Sequence, residues 1–118
     1  MKKTLLLFLC TVFFFACEKN NLNVVNQEDN VITTSGNAFV PSTIICNIGD
    51  TIYFELGSSH NAVEVSESEY NNNAGTPLAN GFNIDFGESA YIVASELKTY
   101  YYVCQPHLPQ MKGVIIVE

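Results

Sequence analysis

Three side chains that can bind a soft metal ion lie close together near the C-terminus. Cys104, His107 and Met111 fall within eight residues, directly after the aromatic segment 100–103. A thiolate, an imidazole and a thioether together suit copper better than magnesium or calcium, which prefer oxygen ligands. Zinc accepts the cysteine and the histidine but has little use for methionine. The spacing therefore predicts a copper-binding loop that begins where a strand ends.

The chain contains one other histidine, and it lies at a boundary of the same kind. His60 follows the turn-forming residues 57–59 and precedes the predicted strand 61–65. Taken singly, each histidine would more often be an ordinary polar residue, and Met111 would more often fill the core. Two histidines, one cysteine and a weakly bound methionine are the ligands of blue copper sites. We therefore predict one copper ion, Cu(I) or Cu(II), bound by His60, Cys104, His107 and Met111.

The elements that must position these residues are short strands. Apolar stretches alternate with turn residues from Val31 onward and show no convincing helical period. The predicted strands are 38–40, 44–48, 51–56, 62–65, 91–94, 99–104 and 114–117. Seven or eight such strands are typical of an all-β, antiparallel Greek-key sandwich. Residues 66–86 contain many helix- and strand-breaking residues and are predicted to form a long loop with at most one short helical turn.

Alternation along the strands predicts which side chains are buried. Residues 44, 46 and 48 share one face of their strand, and residues 52 and 54 are the apolar pair of the next one. Cys46 therefore lies where a buried valine would serve equally well. A disulfide between Cys46 and Cys104 is the less favoured alternative, because Cys104 has metal-binding neighbours.

The N-terminal segment predicts export. Lys2 and Lys3 precede a short apolar run that ends at a small residue and Cys17, which is typical of a lipoprotein signal peptide covering residues 1–17. Cys17 is then the lipid attachment site, and an uncleaved membrane anchor is the alternative. Polar residues 18–30 are predicted to be a flexible tether, and 31–118 the folded domain. The expected location is the periplasm or the cell surface, with the protein anchored to a membrane.

Charge limits the range of partners. The chain has twelve acidic and five basic residues and no arginine, and removing residues 1–17 would take Lys2 and Lys3 away, leaving a net charge near −9. Such a surface repels nucleic acid and attracts basic proteins. Glu64, Glu67 and Glu69 lie shortly after His60 and are expected either to steer a basic redox partner or to form an ordinary solvated surface.

Residues 36–118 resemble the cupredoxins, in particular the plastocyanin, pseudoazurin and azurin-like proteins. The matching segments are 39–41, 49–52, 59–63, 77–78, 81–82, 101–107 and 111–115. The resemblance implies that His60, Cys104 and His107 are strong trigonal ligands and that Met111 is a long axial one. One departure concerns the spacing, because three residues separate His107 from Met111, where these families usually have four or two. Gln110 as the axial ligand, or no axial bond, are the alternatives.

The same resemblance implies the roles of several neighbouring residues. Asn61 would brace the copper loop and donate its backbone N–H to the cysteine sulfur. Pro106 has no N–H and cannot supply a second such bond, which leaves more charge on the sulfur. The ring edge of His107 would be the exit for electrons, through an apolar patch formed by Leu108 and Pro109 with Pro41 and Phe82.

These observations favour an electron carrier rather than an enzyme. A monomer is expected to pass single electrons between redox partners such as c-type cytochromes or copper reductases. The main alternative is a periplasmic carrier or buffer of copper ions, although the folded part lacks the methionine or histidine clusters that would favour it. A cysteine hydrolase that uses Cys104 and a histidine is a third hypothesis, which leaves Met111 without a purpose.

Overall fold

The computed structural model describes residues 30–118, and all structural statements below concern that part of the chain. The predicted signal peptide with Cys17 lies outside it, as does the predicted tether apart from residue 30. No helix in the described part is both long enough and apolar enough to cross a membrane.

Residues 30–118 form nine short strands, an α-helix of little more than one turn and a 3-10 turn that contains His107. The strands are β1 (Val31–Ser35), β2 (Ala38–Val40), β3 (Thr43–Cys46), β4 (Thr51–Glu55), β5 (Ala62–Val65), β6 (Asn83–Ile84), β7 (Ser89–Val93), β8 (Thr99–Val103) and β9 (Lys112–Val117). The helix α1 is Glu67–Asn71, and the 3-10 turn is Gln105–His107. The all-β prediction is confirmed, whereas the strands β1 and β6 were not among the predicted ones.

Two sheets form the sandwich. One has the strand order β2-β1-β4-β7, and the other has the order β3-β9-β8-β5-β6. The expectation of purely antiparallel sheets is wrong, because β1 pairs with β4, and β3 with β9, in parallel. Strands that are distant in sequence can meet in either direction, and the alternation of side chains is the same in both cases.

The core lies between the two sheets, and its burial largely follows the predicted alternation. Ile44 and Cys46 are buried in β3, and Ile52 and Phe54 are fully buried in β4. Ile48 was predicted to share the buried face of β3, but it is 51% exposed. The reason is that β3 ends at Cys46 and the chain turns, with the Asn47 N–H donating to the Asp50 carboxylate.

The long segment between β5 and β7 contains one short helix, as predicted. Ser66 caps α1, since its hydroxyl accepts a hydrogen bond from the Glu69 N–H at 3.1 Å. The Tyr70 ring packs against Tyr101 of β8, with ring centroids 5.1 Å apart. This segment therefore covers part of the outer face of the five-stranded sheet.

The strand pairing brings the two predicted metal-binding regions to the same end of the sandwich. Strands β5 and β8 are antiparallel, and Val63 lies opposite Val103. The start of β5 is therefore beside the end of β8, so that His60 before β5 meets Cys104 after β8. We call this end the metal pole.

Candidate metal centre

Three side chains converge at the metal pole. The Nδ1 atoms of His60 and His107 are 3.1 Å apart. The Cys104 sulfur is 3.3 Å from Nδ1 of His107 and 3.8 Å from Nδ1 of His60. The donor atoms of the three residues all lie within 4.8 Å of one another. The structure therefore brings together the three residues that were predicted to be the strong ligands.

The spacing of these donors fits one bound metal ion. Imidazole nitrogens at about 2.0 Å and a thiolate sulfur at about 2.3 Å from a central ion would be separated by about 3.5 Å in a trigonal arrangement. The observed separations, 3.1–3.8 Å, lie around that value. His60 and Cys104 are 7% and 0% exposed, so their lone pairs have little access to water. A cation between them would satisfy all three donors.

The sulfur lies in an environment that opposes its ionisation until a metal binds. Burial raises the pKa of the Cys104 thiol, and the backbone N–H groups of Asn61 and His107 partly offset this effect by stabilising the thiolate. The N–H of Asn61 was predicted to donate to the sulfur. Pro106, in the 3-10 turn, has no N–H to donate to the sulfur, as predicted. The backbone N–H of His107 supplies the second hydrogen bond instead, which was not predicted.

Asn61 also joins the two ligand-bearing segments through its side chain. Its Oδ1 accepts a hydrogen bond from the Gln105 N–H at 3.0 Å, and its Nδ2 donates to Gln105 Oε1 at 3.0 Å. Residues 104–111, which we call the donor loop, are thus tied to the loop that contains His60. The sequence analysis identified Asn61 but not Gln105, although its place between Cys104 and Pro106 could have suggested a role.

Met111 ends the donor loop and is fully buried. Its N–H donates to the His107 carbonyl, and its own carbonyl accepts from the Cys104 N–H, both at 3.0 Å. The three-residue spacing after His107 therefore closes into a tight loop. Gln110, the alternative axial ligand, has an exposed side chain.

The position of His60 depends on a close approach at Gly57. The Gly57 carbonyl accepts a hydrogen bond from the His60 N–H, and the Gly57 N–H donates to the Thr34 hydroxyl, both at 3.0 Å. A Cβ atom on residue 57 would lie 2.9 Å from Thr34 Oγ1 and 3.3 Å from His60 Cδ2. Glycine is therefore needed here for close packing, which the sequence pattern alone did not indicate.

Comparison with known families identifies this arrangement. The family model for copper binding proteins, plastocyanin/azurin family, matches residues 26–118. The chain belongs to this family. The cofactor of this cupredoxin is copper, as its donor set predicted. No curated protein matches its sequence.

Several solved structures share the fold of this cupredoxin. Native pseudoazurin from Hyphomicrobium denitrificans has a TM-score of 0.58 and 24% identity, with 75% of this chain and 73% of that chain covered. Amicyanin from Paracoccus versutus has a TM-score of 0.55 and 24% identity, over 75% and 79% of the two chains. A copper-containing nitrite reductase from Thermus scotoductus SA-01 has a TM-score of 0.54 and 24% identity, over 75% of this chain and 22% of the enzyme.

Two predictions about the surface of the cupredoxin need correction. Glu64 was expected to steer a basic redox partner together with Glu67 and Glu69. It is 3% exposed and forms an ion pair with Lys98 at 3.0 Å, so its charge is not available to a partner. Phe82 packs against the aromatic core rather than extending an apolar patch. Glu64 is shielded from solvent because both faces of β5 are buried.

The remaining predicted surface residues lie in more open positions. His107 and Leu108 are partly exposed, and Pro109 and Pro41 are exposed. Glu67 is exposed, whereas Glu69 is partly buried and accepts a hydrogen bond from the Thr76 N–H at 3.0 Å. The donor loop thus has one buried side, which carries Cys104 and Met111, and one that faces solvent.

Proposed function

We propose that this cupredoxin is a type 1 copper protein that passes single electrons between redox partners outside the cytoplasm. The observation that carries the proposal is the convergence of His60, Cys104 and His107 within 4.8 Å. Bound copper supplies a one-electron couple, Cu(II)/Cu(I). The three side chains would be its strong ligands, and the buried Met111 its weak axial ligand.

The chain's own contribution to electron transfer is to keep the donors in place. The Asn61 side chain makes two hydrogen bonds with Gln105, one of them to its backbone N–H, and Met111 makes two backbone hydrogen bonds; together they hold the donor loop. A close-packed interior resists rearrangement, so the donors change position little when the charge on the ion changes. The partly exposed His107 provides the path for the electron to reach a partner.

A visible spectrum tests the proposal directly. Cu(II) is added to the protein that lacks residues 1–17, and an intense blue or green charge-transfer band is expected. Cys104→Ala should abolish the band, whereas Cys46→Ala is the matched control, since Cys46 is also buried and free but lies away from the metal pole. A colourless protein that binds Cu(I) tightly would instead favour the copper carrier. A band that survives in Cys104→Ala would refute the ligand assignment.

The axial ligand can be tested in the same protein. Met111→Leu should shift the charge-transfer band and change the reduction potential, because the thioether tunes a site that it binds weakly. Gln110→Ala should leave both unchanged, since its side chain is exposed. The opposite result would assign the axial position to Gln110, and no effect in either variant would indicate a site without an axial bond.

We also propose that the protein acts as a carrier and not as an enzyme. The matching nitrite reductase is a much longer chain, of which this cupredoxin corresponds to 22%. In residues 30–118, the only cluster of three or more histidine, cysteine, aspartate and glutamate residues with metal-binding geometry is His60, Cys104 and His107. The purified copper protein should therefore exchange electrons with a c-type cytochrome but should not reduce nitrite.

Partner choice is proposed to depend on charge. In the described residues, Lys98 and Lys112 are engaged in internal hydrogen bonds, so acidic groups such as Glu67 dominate the outward charge. A basic cytochrome should therefore react faster at low than at high ionic strength. Glu67→Gln should weaken this salt dependence, and Glu64→Gln should not, because Glu64 is buried.

The location is proposed to be the outside of a membrane, with a lipid on Cys17 after removal of residues 1–17 and with residues 18–30 as the tether. Expression with a labelled fatty acid should label the wild-type chain and the Cys10→Ala variant. Cys17→Ala should lose the label and appear in the soluble fraction. Retention of Cys17→Ala in the membrane would instead favour an uncleaved anchor.

The protein is also proposed to be a monomer. A single monomeric peak is expected in size-exclusion chromatography of the protein without residues 1–17.

A further inference from the structure

The ammonium group of Lys112 connects the end of the donor loop to the segment around α1. Its Nζ atom donates to the Tyr70 carbonyl and to Asn73 Oδ1, both at 2.9 Å. The same atom lies 4.2 Å from the centroid of the Tyr70 ring, which adds a cation–π contact. Lys112 follows Met111 directly, so these contacts fix the backbone at the point where the donor loop becomes β9.

The same segment contacts the donor loop a second time, near its other end. The Gly75 carbonyl accepts a hydrogen bond from Gln105 Nε2 at 2.7 Å. A Cβ atom at residue 75 would lie 3.2 Å from Leu108 Cδ1 and 3.3 Å from Gln105 Cγ, so the backbone there packs closely against the donor loop. Gln105 thus bonds to Gly75 with one side-chain atom and to Asn61 with the other.

We propose that residues 70–75 form a brace that holds the donor loop, and that Lys112 is a positioning residue that fixes this brace. The proposal rests on the proposed copper function, because it concerns the loop that carries three of the four predicted ligands. Lys112 holds one end of the brace through Tyr70 and Asn73. The other end then presents the Gly75 carbonyl to Gln105.

The chemistry of the contacts explains why a lysine suits this position. Two oxygen acceptors and an aromatic face converge on one point, and an ammonium group has three donor hydrogens and a compact charge to satisfy them. Asn73 has a φ of 55°, a left-handed conformation that asparagine tolerates better than most residues. The backbone turn at Asn73 lies between Tyr70, whose carbonyl binds Lys112, and Gly75, whose carbonyl binds Gln105.

Hydrogen exchange of the metal-free protein tests the brace without any reliance on copper. In Lys112→Met, the amides of Gln105 and Met111 should exchange about tenfold faster than in the wild type, because hydrogen bonds from a charged group have been lost. Lys98→Met is the matched control, since the Lys98 ammonium group also donates to a side-chain oxygen, here that of Glu64, and lies 4.3 Å from a tyrosine ring centroid, but on another part of the sandwich. Lys98→Met should lower the free energy of unfolding, but the amides of Gln105 and Met111 should not exchange faster relative to the other amides of the domain.

Two further variants keep the test decisive if Lys112→Met folds poorly. Lys112→Arg retains the charge and the donors and should restore slow exchange. Asn73→Gly keeps the left-handed backbone but removes one acceptor, and it should accelerate exchange of the same amides by about threefold. Wild-type exchange rates at Gln105 and Met111 in both Lys112→Met and Asn73→Gly would overturn the proposal.

The copper-loaded protein provides a second and separate measurement. Lys112→Met should shift the charge-transfer band or the reduction potential while still binding one copper ion, and Lys98→Met should change neither. An unchanged spectrum and potential in Lys112→Met would refute the positioning role even if the variant is less stable. A wild-type protein that fails to form a coloured copper complex would refute the proposed function instead, and the exchange experiment would still decide whether the brace exists.

Discussion

The buried ion pair between Glu64 and Lys98 yields a prediction whose size can be worked from the structure. The Glu64 side chain is 4% exposed, and its two oxygens accept from Lys98 Nζ and from the Phe82 N–H, both at 3.0 Å. The perturbation is Lys98→Met, which retains much of the apolar stem but removes the charge and its contact with the Tyr100 ring. The Glu64 carboxylate then keeps one donor and loses its counter-ion.

Removing one partner of a fully buried pair costs about 3–5 kcal/mol. Lys98 is 34% exposed, so water reaches the ammonium end of the pair and reduces this value, and we expect a loss of about 2 kcal/mol. Glu64→Gln keeps an acceptor for Phe82 and should cost about 1 kcal/mol. The double variant should also cost about 1 kcal/mol, because no buried charge is left without a partner.

The assay is urea unfolding of the metal-free protein at several pH values. Desolvation lowers the pKa of the Lys98 ammonium, but the hydrogen bond and charge of Glu64, with Glu96, outweigh it, so the pKa is raised in the folded state. The stabilisation is therefore complete below the unfolded pKa of about 10.4 and declines as pH rises through the folded value. The difference in free energy of unfolding between wild type and Lys98→Met should therefore become smaller as the pH rises above about 10.4. Additive costs in the double variant, or a difference that grows above pH 10.4, would refute the reasoning.

Three further substitutions test the packing that positions the site. Gly113→Ala should destabilise the domain by about 3 kcal/mol in urea unfolding, since its Cβ would lie 2.2 Å from the fully buried Tyr102 ring; no loss would show that the ring can move. Tyr102→Phe should stabilise it by about 1 kcal/mol, because the buried hydroxyl has no hydrogen-bond partner among residues 30–118, and a lower melting temperature would contradict this. Gly57→Ala should displace His60 and weaken copper binding at least tenfold in a competition titration. The control is Ser58→Ala, a substitution at the exposed neighbouring residue, and equal copper affinities of the two variants would contradict the prediction.

The sequence was sufficient to predict the candidate site because its donor residues are rare in this chain. The only two histidines both lie next to strands, and Cys104 and His107 share one short loop. The antiparallel pairing of β5 with β8 then brings His60 to the same place. Alternation in β4 correctly predicted Ile52 and Phe54 as core residues. Local patterns were informative wherever one strand face was buried and the other was exposed.

The incorrect predictions concern features that depend on distant contacts. Glu64 was expected to face solvent, but all four residues of β5 are buried, and its partner Lys98 lies 34 residues away in sequence. The parallel partners of β1 and β3 are not encoded in their own alternation. The contact of Gln105 with Gly75 and the contact of Lys112 with Asn73 likewise require the long loop to lie over the sheet. No short sequence window contains both members of these pairs.

The way in which polar groups hold the metal pole separates ligand positioning from partner recognition. Gln105 bonds to both Asn61 and Gly75 through neutral amides, and the Lys112 ammonium group donates to neutral oxygens. Hydrogen bonds of this kind respond weakly to salt, whereas attraction between exposed charges falls steeply with ionic strength. A change of salt concentration should therefore alter the rate at which a basic partner associates but not the geometry of the donors. The two properties can then be varied independently, because they reside on different groups.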